Sequence, residues 1–374
     1  MKTFKTSEIQ QGYFFTEPAF LDENFVLLSP ETPWTPELRT ILAQWEFTTV
    51  LSDGEPKPYY SGKGFKEKLE KVQNDSAKIA SAEAYIAGVE QFTKKLFLQV
   101  SEGHSINFDV IASKVRELCD KLRDERRFLL QVYGEKTTPD GSNPEEFNAE
   151  HSVRSAIVAL LIGINLKLPI HRLIELGSAA FVHEIGMARL PSKLFLSSKK
   201  LEAKEVELLR THTTHGYELL KMNGFPMTVA VTALEHHERE NGVGYPRKLS
   251  GEKISFYSKI IAVACSYAAI TANRPHQDAR GGYEGVTGLL RNEGKQYDEQ
   301  VIRALVFSLS LYPIGQYVML SDGKKGQVVE INPNNPRYPL VQIFCEQTPD
   351  GKNRIIKTSP DGISIARPIS KDEM

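Results

Sequence analysis

The sequence predicts a mainly α-helical fold, with a small α/β segment at the N-terminus and a small β-rich module at the C-terminus. Three observations carry that expectation. Apolar residues recur at helical spacing through most of residues 64–312. Strand-forming runs broken by Asp-Gly turns return after residue 313. The 374 residues, 41% hydrophobic and 25% charged, suffice for two or three ordinary globular domains. Composition breaks place the expected boundaries at 1–60 (a small α+β domain), 61–140 (a helical linker or stalk), 141–312 (a helical domain) and 313–374 (the β-rich module).

In the first segment "FKTSEIQQGYFF" and "ENFVLLS" carry strand-forming residues bounded by turns. "WTPELRTILAQW" reads as a helix with Thr35 at the N-cap, Pro36 at the first helical position and Glu37 in the first turn. Leu38, Ile41, Leu42 and Trp45 form its apolar stripe, and "LSDGEPKPYYSGKG" reads as a loop. From 64 to 135 two amphipathic helices are expected. Ile79, Ile86, Val89 and Phe92 lie on the first, and Val115, Leu118, Leu122 and Leu129 on the second, with "SEGHS" between them. Their apolar faces suit either a homodimer seam or packing within the chain. "SVRSAIVALLIGINL", "IHRLIELGSAAFV", "KEVELLRTHTTHGYELL" and "PMTVAVTALEHHE" then follow as successive helices.

The net charge of −1 argues against a nucleic-acid polymer or an anionic membrane surface as partner, though it leaves room for a local basic pocket. "AIVALLIGINL" is too short to span a bilayer, and "MKTFKTSEIQQGYFF" has no apolar signal core. Cys119, Cys265 and Cys345 form no disulfide framework, so a reduced, cytoplasmic setting is expected.

Seven of the nine histidines (His151, His171, His183, His212, His215, His236 and His237) fall within residues 151–237. A single histidine on a helix is ordinarily a hydrogen-bonded core residue. Burying several imidazoles together is costly unless something satisfies their nitrogens, and a bound cation does so. The adjacent pairs His183-Glu184 and His236-His237 strengthen that reading.

"HHERENGVGYP", together with the helix holding His151, "HEIG" followed by "LP", "THTTHG" and "KIIAVACSYAAITANRP", resembles the HD-GYP family of HD-domain metal-dependent phosphohydrolases. The resemblance runs from about residue 145 to 345 and implies an HD-domain helical bundle. It also implies hydrolysis of cyclic di-GMP at a site of two or three divalent metals, iron or manganese foremost, with zinc possible in a softer ligand set. Carried over position by position, the implied ligands are His151, His183, Glu184, His212, His236 and His237, with Cys265 where the family has an aspartate. His171 and His215 match no ligand position and read as structural, His215 being one turn from His212. Tyr245, Lys259 and Arg274 are candidate contacts to the nucleotide, each also readable as a packed ring or a solvated charge.

The departures from the family pattern fall on the chemistry. Glu184 replaces an aspartate and lengthens the side chain by roughly 1.5 Å. A thiolate at Cys265 would favour softer cations, while a small buried apolar residue is the other reading. Ala268, where the family has a second aspartate, cannot coordinate. Met187 stands in place of a phosphate-contacting lysine, with Arg189 and Lys193 as nearby cations. Asn241 replaces the aspartate of the DGxGYP loop but keeps its turn preference. Phe147, flanked by Glu146 and Glu150, sits where a carboxylate would support a third metal.

Three functions follow. The expected one is a metal-binding protein of bacterial cyclic di-GMP signalling with weakened or absent hydrolysis, taking cyclic di-GMP or a related nucleotide. The alternatives are an active phosphodiesterase with Glu184 and Cys265 as variant ligands, and a helical scaffold without metal.

Overall fold

The computed structural model describes the chain except residues 11–12, 22–25, 29–33, 35, 45–46, 59–62, 136–143, 197–200, 273–281, 293, 313, 333–334, 348–352, 370–372 and 374. Two compact units partition it: residues 1–76 with 343–354, and residues 77–342 with 355–374.

The smaller unit begins with strands β1 (Lys2–Lys5), β2 (Tyr13–Phe15), β3 (Ala19–Phe20) and β4 (Val26–Leu28). Helix α1 (Pro36–Gln44) follows, then β5 (Thr49–Ser52) and β6 (Pro56–Pro58). A four-stranded sheet runs in the order β1-β5-β3-β4, and β2 pairs antiparallel with β6. The stretch expected to be a loop at 51–64 therefore contributes strand residues at both ends of a tight turn. Gly54 lets that turn lie close against Glu17, because a Cβ there would lie 2.5 Å from the Glu17 nitrogen. Helix α1 begins at Pro36, while Thr35 and Trp45 lie outside the described residues. Leu42 is fully buried and Leu38 packs on the core, but Ile41 faces solvent at 39% exposure. The ring that fills the core is Trp34, at 1% exposure.

Helix α2 (Lys63–Ser101) is followed by α3 (Phe108–Asp124) and α4 (Arg126–Glu135). Asn107 caps α3, its side-chain oxygen accepting from the Asp109 nitrogen at 2.7 Å. The single helix expected beyond "SEGHS" breaks at Glu125, which leaves helical angles (φ −125°, ψ 24°) and donates its N–H to the Lys121 carbonyl. Ile86, Val89, Val115, Leu118, Leu122 and Leu129 all sit in one core with the helices that follow. Over these residues the apolar faces are used within the chain.

That core is organised by α5 (Pro144–Asn165), buried on every side through its middle, with Ala156, Ile157, Leu160 and Leu161 at 0–1% exposure. After it come α6 (Ile170–Val182), a 3-10 turn (Ile185–Arg189), α7 (Lys193–Leu196), α8 (Ala203–Arg210), α9 (His212–Met222) and α10 (Met227–Glu235). The remaining helices are α11 (Phe256–Ile270), α12 (Gly282–Arg291) and α13 (Glu299–Leu309). Helices α6, α11 and α13 pack around α5, and α10 bridges α6 and α9. The fold is mainly helical, as expected. Strands β7 (Tyr317–Leu320), β8 (Lys325–Glu330), β9 (Leu340–Gln347), β10 (Asn353–Lys357) and β11 (Ile365–Pro368) form a sheet in the order β10-β9-β8-β7-β11. Among the described residues no helix is long and apolar enough to cross a membrane.

Candidate metal centre

Five helices deliver their chemistry to one place in the helical core. His151 lies on α5, and His183 and Glu184 follow the last turn of α6. His212 opens α9, His236 and His237 follow α10, and Cys265 lies on α11. Glycine sets the approach. A Cβ on Gly186 would overlap the His212 carbonyl oxygen and lie 2.6 Å from the Gly216 nitrogen, so only glycine lets the turn after Glu184 seat against the start of α9.

Three rings are oriented by the backbone. Nδ1 of His183 lies 2.7 Å from the Ala180 oxygen, that of His212 lies 2.7 Å from the Leu209 oxygen, and that of His236 lies 2.9 Å from the Ala233 oxygen. A carbonyl only accepts, so each ring carries a proton on Nδ1 and, when neutral, presents the Nε2 lone pair. This is how ligand imidazoles are usually held.

Those lone pairs converge on Glu184. Its Oε2 is 3.2 Å from His212 Nε2. Its Oε1 is 3.9 Å from His183 Nε2, 4.0 Å from His151 Nε2 and 3.9 Å from His236 Nε2. The donors form two sets of four: His151, His183, Glu184 and Cys265 in one, and Glu184, His212, His236 and His237 in the other. Within each set the ligand atoms lie within 4.8 Å of one another, and Glu184 belongs to both. All the sequence-derived ligand candidates are thus brought together.

The electrostatics resist protons and suit cations. Burial holds the His183 imidazole below its usual range despite the neighbouring Glu184 carboxylate. Burial, then the adjacent imidazoles, pushes His236 well below it, and burial with His212 and Arg239 does the same to His237. His183 Nε2 is buried without a hydrogen-bond partner among the described residues. Imidazoles, a carboxylate and a thiol facing each other offer electron pairs that a divalent cation can satisfy, so these residues fit such a group.

The flanking loop is fixed to the same place. Gly244 is also constrained, since a Cβ there would lie 2.5 Å from the His237 oxygen. Tyr245 therefore stacks on His237, with ring centres 4.7 Å apart and planes at 21°, and burial raises its hydroxyl's pKa. Asn241 donates to the Gly294 oxygen at 2.7 Å and accepts from the Val243 nitrogen at 3.3 Å. Lys259 is engaged by Glu240 at 2.9 Å and Asp298 at 3.4 Å, and Arg274 lies outside the described residues.

Phe147 stacks on Phe195 at 6.3 Å, Met187 is 9% exposed, and Ala268 is fully buried. Arg189 and Lys193 are exposed, as is His171, while His215 is half-buried. Two features had escaped the sequence reading. The Arg210 guanidinium lies 4.9 Å over the Tyr245 ring, on the side chain that ends α8. Buried Glu238 accepts from the Arg247 nitrogen at 2.7 Å and the Leu249 nitrogen at 2.9 Å, fastening the loop. The signal for Arg210 was its place two residues before His212; for Glu238, its place next to His237.

Comparison with known proteins agrees with this geometry: residues 142–301 match the HD domain family. This segment is an HD domain. The chain is 28% identical over 196 residues to a cyclic di-GMP phosphodiesterase of Borreliella burgdorferi, covering 52% of each chain. It is 31% identical over 252 residues to a cyclic di-GMP phosphodiesterase of Pseudomonas aeruginosa, covering 67% of this chain and 59% of the relative. A 3'3'-cGAMP-specific phosphodiesterase of Vibrio cholerae is 30% identical over 175 residues, covering 46% of this chain and 37% of the relative. The chain thus spans little more than half the length of the first two.

Proposed function

We propose that the HD domain is a divalent-metal centre of the cyclic-dinucleotide phosphodiesterase type, serving bacterial cyclic di-GMP signalling with weakened hydrolysis. The observation that carries this reading is the place of Glu184, whose carboxylate is common to both donor sets. His151, His183, Glu184 and Cys265 would hold one cation, and Glu184, His212, His236 and His237 the other. Bound cations supply Lewis-acid activation for attack on phosphorus.

The chain's own groups support binding better than turnover. Tyr245, on the loop packed over His237, offers an aromatic face and a hydroxyl to a nucleotide, and Arg210 offers a cation beside it. The position where the family's lysine would neutralise the scissile phosphate holds the buried thioether of Met187, which cannot stabilise developing charge. The Phe147 ring, stacked on Phe195, occupies the position from which a further carboxylate would come. Lys259 already faces two carboxylates, so its charge serves the loop more than a phosphate.

The test is turnover of cyclic di-GMP and 3'3'-cGAMP by anaerobically purified protein loaded with Fe(II) or Mn(II), with metal content measured on the same sample. The reading expects nucleotide binding, slow formation of linear product abolished by His183→Ala, and at least about tenfold faster turnover in Met187→Lys. Metal-loaded protein that neither binds nor cleaves either nucleotide would refute it.

A further inference from the structure

We propose that Cys265 is a thiolate ligand and makes the two halves of the centre chemically unlike. The half built on His151 and His183 would then select a softer cation than the half built on His212, His236 and His237. This rests on the reading of the cluster as a metal centre.

Cys265 Sγ lies 3.3 Å from His151 Nε2, and both residues are buried, at 8% and 8% exposure. Two atoms bound to one zinc-like ion, at about 2.1 Å for nitrogen and about 2.3 Å for sulfur, stand about 3.6 Å apart at a tetrahedral angle. The observed separation is close to that. The same set contains His183, whose Nε2 has no hydrogen-bond partner among the described residues although its ring is completely buried. A simple thiol-to-imidazole hydrogen bond would account for Cys265 and His151 but leave His183 unexplained. One cation accounts for all three.

The protein carries its own contrast. Cys119 is 1% exposed on α3 among Val115, Leu118 and Leu122, and burial pushes its thiol up to about 11. That is the setting of an inert core cysteine. Cys265 instead faces imidazole and carboxylate.

The consequence is a difference in selectivity. One half offers two nitrogens, an oxygen and a sulfur, and the other three nitrogens and an oxygen. Thiolate favours zinc, ferrous iron and cobalt over manganese or magnesium. On loading, the thiol gives its proton to solvent and the sulfur–metal bond replaces it.

Anaerobic titration of the metal-free chain with Co(II) tests this through the near-ultraviolet thiolate-to-cobalt charge-transfer band. The band is expected to saturate with about one equivalent of cobalt and to survive Cys345→Ser. Cys265→Ser should abolish it and weaken cobalt and zinc binding at least about tenfold. Cys265→Asp should also lose the band, yet bind manganese more tightly than the unaltered chain does. Cobalt retained without the band, or a band unchanged in Cys265→Ser, would overturn the inference while leaving the metal-centre reading intact. Failure of the unaltered chain to retain any cobalt, zinc, iron or manganese would overturn both.

Discussion

Nε2 of His212 and Nε2 of His236 lie 3.4 Å apart, although both rings donate their Nδ1 protons to backbone carbonyls. Two lone pairs at that distance repel unless a positive charge lies between them. A proton is resisted, because burial holds His236 well below the usual imidazole range. A divalent cation held by Glu184, His212, His236 and His237 would relieve the repulsion. Chelator-treated protein should therefore gain thermal stability when Zn(II), Fe(II) or Mn(II) is restored, by about 2.7 kcal/mol at a free metal concentration of 100 times Kd. His236→Ala should remove most of that gain and lower the bound metal by about one ion per chain. A melting temperature indifferent to all three metals would show that the cluster is held by other means.

The approach of the two histidine-bearing segments depends on glycine unequally. A Cβ on Gly186 would strike the backbone of His212, whereas one on Gly216 would meet only ordinary contacts, the nearest at 3.5 Å. Gly186→Ala should cost about 3 kcal/mol in denaturant unfolding and also weaken metal binding, since the turn must move away from His212. Gly216→Ala should be nearly silent in both. Equal effects from the two substitutions would mean that the close approach does not govern the site.

How much of this was legible in the sequence depended on the range of the interaction. Helix periodicity and the string around His236, His237 and Tyr245 are local, and they located the helices and the candidate ligands. The break at Glu125 was not legible, because no proline or glycine marks it. Ile41 turned outward and Trp34 inward because the small unit's sheet, and not the helix's own period, decides which face is covered. Lys259 reads in the sequence as a candidate nucleotide contact or a solvated charge, whereas the fold places Glu240 and Asp298 beside it. Such pairings join residues distant in sequence, and no pattern in either segment announces them.

Acid should unfold the metal-free protein more readily than its carboxylates alone would require. His183, His236 and His237 all have imidazoles pushed below the ordinary value near 6.5. Below about pH 6.5 the unfolded chain takes up protons that the folded chain refuses, so stability is intact above that pH and falls as the pH drops towards the folded values. The slope is up to about 1.4 kcal/mol per pH unit for each such group. Urea midpoints measured with chelator at pH 7.5, 6.5 and 5.5 should fall most steeply over the last interval. His236→Gln, which keeps a polar side chain but cannot titrate, should flatten that interval. A midpoint independent of pH down to 5.5 would contradict the assignment.

Arg210, Tyr245 and His237 form a stack that runs from solvent towards the donor cluster, with the guanidinium 4.9 Å above the tyrosine ring and that ring 4.7 Å from the imidazole. Arg210 is exposed, so its charge is available to an incoming phosphate while its plane stays on the ring. Arg210→Ala should weaken cyclic di-GMP binding about tenfold, with the loss shrinking at high salt because the contribution is a charge near the surface. Arg210→Lys should recover only part of it, since lysine keeps the charge but not the planar stack. Tyr245→Phe, which keeps both ring contacts, should bind far better than Tyr245→Leu, which keeps neither. Calorimetric titration with metal-loaded protein at two salt concentrations reads all four variants together. Unchanged affinity in Arg210→Ala at low salt would place the nucleotide elsewhere on the domain.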